Sequence, residues 1–337
     1  MRYFTSLFLY LGLCAILAAE PSHPIGVRSL DIPDIEAVVW YPSARDEPAT
    51  LVADNPVFVG VRVVKGAPVL AGTHPVALLS HGYSGLWRNQ AWLAARLAQA
   101  GYLAVSLNHP GTTFGDMDPS WATRLAERPR QLSRVLDALL ADDDLASRTD
   151  PARIAVIGHS LGGWTALALA GGVFDPARLQ DACGNSTDKM VCTVFRNGGM
   201  TKQTAVPDGR DDRISAAVLL DMEGIHGFTP GSLRELSIPT LALAAGIGDP
   251  ALPLGWESRA QAKLLPAATS RYAEVIGATH FSFMSECKPG AEEILKEDAF
   301  ICQGETAPRA KLHEEIASTV IRFLNAGNRL ASALQSP

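Results

Sequence analysis

Short apolar runs alternate with longer stretches of helical apolar spacing through most of this chain. Pro75 to Leu79 and Ile154 to Ile157 are continuously apolar, the pattern of strands buried on both faces. Tyr102 to Leu107, Ser215 to Leu220, Thr240 to Ala244 and Ala273 to Ile276 are the further expected strands. Between them, Gln90 to Gln99 is amphipathic and stops at Ala100-Gly101. Ala122 to Leu140 puts Leu125, Leu132, Val135, Leu136 and Leu139 at helical spacing, interrupted at Pro129. Lys311 to Leu324 carries Leu312, Ile316, Val320 and Phe323 on one face of a terminal helix. Two early strands, Gly26 to Asp31 and Ile35 to Pro42, flank a turn at Pro33-Asp34. This alternation predicts an α/β fold with a mostly parallel central sheet covered by helices on both faces. Ser43 to Thr73 shows no clear period. Gly171 to Arg213 reads as a loop-rich insertion. No repeat, low-complexity tract or linker divides the chain, so residues 20–337 are expected to form one domain.

Composition narrows the class. At 337 residues, 47% hydrophobic and 19% charged, the chain can bury a sizeable core. Its formal charge of -6 argues against a polyanion-binding surface and makes nucleic acid an unsuitable partner. Arg2 precedes an uncharged apolar run, Phe4 to Leu17, and small Ala18 and Ala19 follow it. That is the layout of a secretory signal peptide over residues 1–19, with no stable membrane span after cleavage and a secreted or periplasmic product. Cleavage would remove Cys14 and leave Cys183, Cys192, Cys287 and Cys302. Export and an even cysteine count predict two disulfides. Of the three pairings, the sequence-local one, Cys183–Cys192 with Cys287–Cys302, is expected. The absence of a C-x-x-C pair argues against a metal site.

The chemistry centres on Gly158-His159-Ser160-Leu161-Gly162, which follows an apolar run and precedes an Ala- and Leu-rich helix. This strand-turn-helix setting fits the G-x-S-x-G nucleophile elbow. A serine hydroxyl needs a base to take its proton, and the base needs a third group to orient it. His280 stands just after the Ala273 to Ile276 strand and is the expected base, with His226 in reserve. His313, mid-helix, is expected to face solvent or neighbouring charges. Asp249 follows the Thr240 to Ala244 strand and is the expected acid; Asp221, ending the preceding strand, is the alternative, with Glu223 two residues on. Two N–H groups should hold the oxyanion: those of Leu161 and of Tyr83, the latter after the close-approach pair His81-Gly82. Tyr83, Trp87 and His109 are candidate pocket residues.

The elbow, Ser80-His81-Gly82, Asn108-His109-Pro110-Gly111 and the Gly246-to-Pro253 loop together resemble the α/β-hydrolase superfamily. Within it the chain is similar to the predicted dienelactone hydrolase group, which shades into esterases like platelet-activating-factor acetylhydrolase. Val39-Trp40-Tyr41-Pro42 and Thr279-His280-Phe281-Ser282-Phe283 add to the likeness. The resemblance implies a serine hydrolase of carboxylic esters with no metal or organic cofactor, acting on a small-molecule, lipid or polymer ester. Authentic dienelactone hydrolases use a cysteine nucleophile, whereas this elbow carries Ser160. The tyrosine after His81-Gly82 resembles that of secreted polyester hydrolases and keeps cutinase-like activity as an alternative. A phospholipid acetylhydrolase or a catalytically inactive binding protein are the other readings.

Overall fold

The computed structural model describes residues 23–45, 49–185, 189–200 and 206–334, with side chains as far as residue 326. The expected signal segment lies outside the described residues. Ten strands form one sheet: β1 (Ile25–Leu30), β2 (Ala37–Pro42), β3 (Thr50–Val52), β4 (Val61–Lys65), β5 (His74–Ser80), β6 (Leu103–Leu107), β9 (Thr149–His159), β10 (Ala216–Leu220), β11 (Thr240–Ala245) and β12 (Ser270–Val275). A small separate ribbon supplies β7 (Thr112–Thr113) and β8 (Asp116–Met117). The sheet order is β12-β11-β10-β9-β5-β6-β2-β1-β4-β3. From β6 to β12 neighbouring strands of the sheet run parallel, and β2 is antiparallel to both β6 and β1.

Strand periodicity divides the apolar side chains between two cores. Val76 and Leu78 of β5, with Ile154 and Val156 of β9, point into one. Ala77 and Leu79, with Ala155 and Ile157, point into the other. The first core is covered by helices Glu127–Ala141 and Leu161–Leu169, the second by Ala91–Gln99 and Arg309–Leu334. Each central strand is therefore apolar on both faces, which is why these runs lack alternation.

The unplaced segment after Ser43 becomes β3 and β4, which extend the edge beside β1. Pro129 does not interrupt its helix. That helix starts at Glu127, so Pro129 sits in the first turn, where its missing N–H leaves no intrahelical bond unmade. The insertion contains two short helices, Pro176–Cys183 and Met190–Asn197, joined by the Cys183–Cys192 disulfide. A second disulfide, Cys287–Cys302, closes the loop before the terminal helix. His313 departs from expectation: it is buried, stacks on Trp92 with ring centroids 3.6 Å apart, and bonds the carbonyls of Ser282 and Met284. No described helix is long and apolar enough to cross a membrane.

Register decides where the chemistry collects. Ser80 is level with Gly158, His159 with Leu220, and Ala245 with Val275. The loops leaving β5, β9, β10, β11 and β12 thus share one edge, the carboxyl end of the parallel strands, where ligands bind in open α/β sheets.

Candidate active site

Ser160 stands between β9 and the Leu161–Leu169 helix with φ 55° and ψ -120°, a conformation that L-residues rarely adopt. The surrounding glycines make that turn geometrically feasible. A Cβ on Gly158 would lie 1.9 Å from the Gly162 carbonyl oxygen, and one on Gly162 would lie 1.9 Å from that of Ser80. The Ser160 N–H donates to the Leu220 carbonyl at 3.0 Å, tying the elbow to β10.

His280 occupies the first position of a short 3-10 turn after β12. Its Nδ1 lies 2.7 Å from Asp221 Oδ2, and both side chains are buried. Asp221 itself has φ 41°. Its Oδ1 accepts the Ala245 N–H at 3.0 Å and the Ser258 hydroxyl at 2.9 Å. Burial pushes this carboxyl up, but His280 and these donors outweigh it and hold Asp221 below its ordinary range. Asp249 is displaced from this position. Its Oδ1 accepts the Ala251 N–H at 2.7 Å, so the exposed side chain closes its own turn. The carboxylate paired with His280 is thus Asp221, the alternative one strand earlier, and not the expected Asp249. His226 is bonded to the Trp256 carbonyl and packed on the Trp256 ring.

Two further acids lie beside Asp221. Glu223 and Glu257 are both buried, and Glu223 Oε2 and Glu257 Oε1 have no hydrogen-bond partner among the described residues. Glu257 Oε2 accepts the N–H groups of Gly224 and Ile225, at 3.0 and 3.2 Å. Burial pushes Glu257 up to about 8, and burial with the neighbouring Glu257 and Asp221 charges drives Glu223 well above the usual carboxylate range. Donor atoms of Asp221, Glu223 and His280 lie within 4.8 Å of one another, close enough to share a cation. The short Asp221–His280 bond already commits two of the three to each other, and all four described cysteines are in disulfides.

The other flank of Ser160 is the loop after β5. A Cβ on Gly82 would lie 3.1 Å from Ser160 Cβ, so only glycine brings this backbone against the nucleophile without displacement. Tyr83 follows, half-exposed, its ring 5.3 Å from Trp121. Leu161 begins the helix after the nucleophile. Trp87 and His109 do not line the cavity beside His280 and Asp221. Trp87 is buried, with its Nε1 donating to Glu36 and its ring against Trp40. His109 is fully buried between Ser80 and Gln131. The positive φ of Ser84 turns the chain between Tyr83 and Trp87, so nearness in sequence does not become nearness at the cleft.

Sequence reasoning left three site residues without a role. His159, inside the elbow, donates from Nε2 to the His280 carbonyl at 2.9 Å, fixing the loop that carries His280; burial and His280 keep it neutral, lowering it to about 3. Its position beside Ser160 was the available signal. Glu257 and Arg128 gave none, since each sits among helical residues whose charge reads as solvent-facing. A cavity of ≈ 460 Å³ opens beside the pair, with Met190, Ile247, Leu252, Leu254, Phe281 and Phe300 on its apolar wall and His280 and Asp221 on its polar one.

Over 213 residues the chain is 27% identical to the cutinase est1 of Thermobifida alba, covering 62% of this chain and 54% of that protein. It is also 27% identical over 216 residues to the bis(hydroxyethyl) terephthalate hydrolase of Streptomyces coelicolor, covering 63% and 52%. The chain thus spans just over half the length of these curated relatives. The solved structure of a ferulic acid esterase from Streptomyces cinnamoneus superimposes with a TM-score of 0.60 at 20% identity, over 93% of this chain and 92% of that one, a likeness of fold. The profile of the alpha/beta hydrolase family matches residues 77–294, from within β5 to beyond His280. With the elbow, the sheet order and that span in agreement, the chain belongs to the alpha/beta hydrolase family.

Proposed function

We propose that this chain is a serine hydrolase of carboxylic esters. The observation that carries the reading is the buried 2.7 Å pairing of His280 Nδ1 with Asp221, beside a serine held at positive φ on a strand-to-helix elbow. Ser160 attacks the ester carbonyl. His280 takes the hydroxyl proton through Nε2, the ring nitrogen that Asp221 leaves free, and returns it to the departing alcohol. The N–H groups of Leu161 and Tyr83 receive the charge on the carbonyl oxygen. Water, activated by the same imidazole, then releases the acid. Asp221 fixes the tautomer and stabilises the imidazolium.

The two relatives named above are a cutinase and a terephthalate-ester hydrolase, which favours the polyester reading over the dienelactone hydrolase and acetylhydrolase subtypes suggested by the motifs. The test is hydrolysis of p-nitrophenyl acetate, butyrate and octanoate and of bis(hydroxyethyl) terephthalate, by the protein and by Ser160→Ala. Turnover that the substitution abolishes is expected, with terephthalate ester among the substrates. Equal, negligible rates in both proteins would remove the reading.

A further inference from the structure

The oxyanion side of the site conceals a charge that the reaction above does not use. Arg128, in the Glu127–Ala141 helix, is only 1% exposed, and no carboxylate among the described residues pairs with it. Instead its guanidinium donates to four neutral acceptors from separate parts of the chain. Nε donates to Thr165 Oγ1 at 2.8 Å and Nη1 to Thr112 Oγ1 at 2.6 Å. Nη2 donates to Ser80 Oγ at 3.2 Å and to the His81 carbonyl. A buried charge normally has a counter-ion, because desolvation without one costs several kcal/mol per ion, on the order of the stability of a whole domain. A cation retained here without one needs a compensating use.

What it touches gives the use. Thr165 belongs to the helix after Ser160, whereas Ser80 and His81 begin the oxyanion loop, so the guanidinium bridges the two. His81 then sets the next peptide. Its Nδ1 donates to its neighbour's carbonyl, that of Gly82, at 2.7 Å, and its Nε2 accepts the His109 N–H at 3.1 Å. Both bonds exist only in the neutral Nδ1–H tautomer. The Gly82 carbonyl also accepts the Gly85 N–H at 3.1 Å. A peptide is planar and trans, so fixing the Gly82 carbonyl aims the Tyr83 N–H in the opposite direction. The charged and titratable groups around His81 are Arg128 from the helix, His109 from the loop after β6, and His159 from the end of β9. His109 is also neutral: its Nε2 accepts from the Ser80 hydroxyl, and its Nδ1 donates to Gln131. Burial, and next the Arg128 charge, lower His81 to about 3.

We propose that Arg128 is a positioning residue of the oxyanion hole: it pins the His81 carbonyl and holds His81 in the neutral tautomer that aims the Tyr83 N–H. The inference rests on the proposed ester-hydrolase reading. Because the donor is misaimed rather than deleted, the expected loss is smaller than the hundredfold or more that removing an oxyanion donor costs, about 10- to 100-fold.

The experiment compares Arg128→Met and Arg128→Lys with the unsubstituted protein, per active site counted by fluorophosphonate labelling. A boronic acid that forms a tetrahedral anion on Ser160 serves as the transition-state probe. Arg128→Met should lower kcat about 10- to 100-fold with KM within about twofold, and weaken the boronate by a similar factor. Arg128→Lys, which keeps the charge but not the fork of donors, should recover part of both. Should Arg128→Met fail to fold, Arg128→Lys carries the test through the same kcat and boronate losses at unchanged KM. A variant whose labelled sites keep the original kcat and boronate affinity, with only the melting temperature lowered, would make Arg128 structural and overturn the proposal. If the unsubstituted protein neither labels at Ser160 nor turns over esters, the hydrolase reading itself is lost. An active protein with indifferent Arg128 variants sinks this inference alone.

Discussion

Ser160 lies between two buried polar clusters of opposite sign. On one side are Asp221, Glu223 and Glu257 around His280; on the other is Arg128, among the neutral rings of His81 and His109. In the proposed reaction an imidazolium forms on the first side and an oxyanion on the second, so each cluster has the sign that favours its arriving charge. They differ in how they tolerate burial. Carboxyls can take up protons, and burial pushes Glu223 and Glu257 in that direction, whereas Asp221 is held below its ordinary range. Burial lowers Arg128 to about 9, which still leaves it charged at neutral pH, so its environment must supply acceptors. The acid side is adjustable by pH and the cation side is fixed.

Breaking the acid side at Asp221 gives the largest expected effect. Asp221→Asn removes the acceptor of His280 Nδ1 and favours the wrong tautomer, so kcat should fall by about 10³–10⁴ with folding retained. Asp249→Asn, which alters only a turn, should leave kcat within about threefold, as surface changes of this kind usually cost little. Steady-state kinetics on the pair reads the contrast directly. Comparable losses in both would return the acid assignment to the Asp249 loop.

The next effect falls on the seam between the clusters. Gly162 of the nucleophile helix abuts the carbonyls of Ser80 and His81, and a Cβ there would approach the first to 1.9 Å. Backbone cannot yield by that much, so Gly162→Ala should lose about 3 kcal/mol or more of stability, or fail to fold. Urea unfolding would measure it. A loss under about 1 kcal/mol would mean that the seam slides apart at little cost, and that the two sides are not held rigidly together.

How much of this could be read in the chain follows from range. β5, β9, β10 and β11 were legible because strands buried on both faces leave apolar runs, and Ser160 because it follows one; β12 is a half-buried edge strand carrying Arg271 and Glu274, and His280 was legible from the loop that follows it. The choice between Asp221 and Asp249 was not local. Both follow apolar strands, and what separates them is the positive φ at Asp221, the Ala245 and Ser258 donors, and the sheet's shape. Arg128 was invisible for a related reason. An arginine on an amphipathic helix reads as solvent-facing, and its four acceptors, Ser80, His81, Thr112 and Thr165, come together only in the folded sheet. Trp87 misled through adjacency to Tyr83, and His313 through its mid-helix position.

The smallest expected effect tests whether the acid side is adjustable. Glu257 is pushed up to about 8 in the folded chain and Glu223 well above the usual carboxylate range, whereas unfolded glutamates titrate near about 4.3. Between those values the folded protein holds protons that the unfolded chain has released, so this pair's contribution to stability falls as pH rises through the window. The buried histidines act oppositely. His81, His159 and His313 are lowered to about 3, so they make stability rise with pH until the unfolded histidines lose their protons near about 6.5. The clean interval therefore runs from about pH 6.5 to 8, where the pair should lower stability by up to about 1.4 kcal/mol per pH unit for each proton held. Glu223→Gln removes one of the two raised carboxyls, so its urea midpoint should fall less steeply over that interval. Parallel midpoint curves for the two proteins would show that Glu223 holds no proton there, and that Asp221 has an ionised acid beside it at neutral pH.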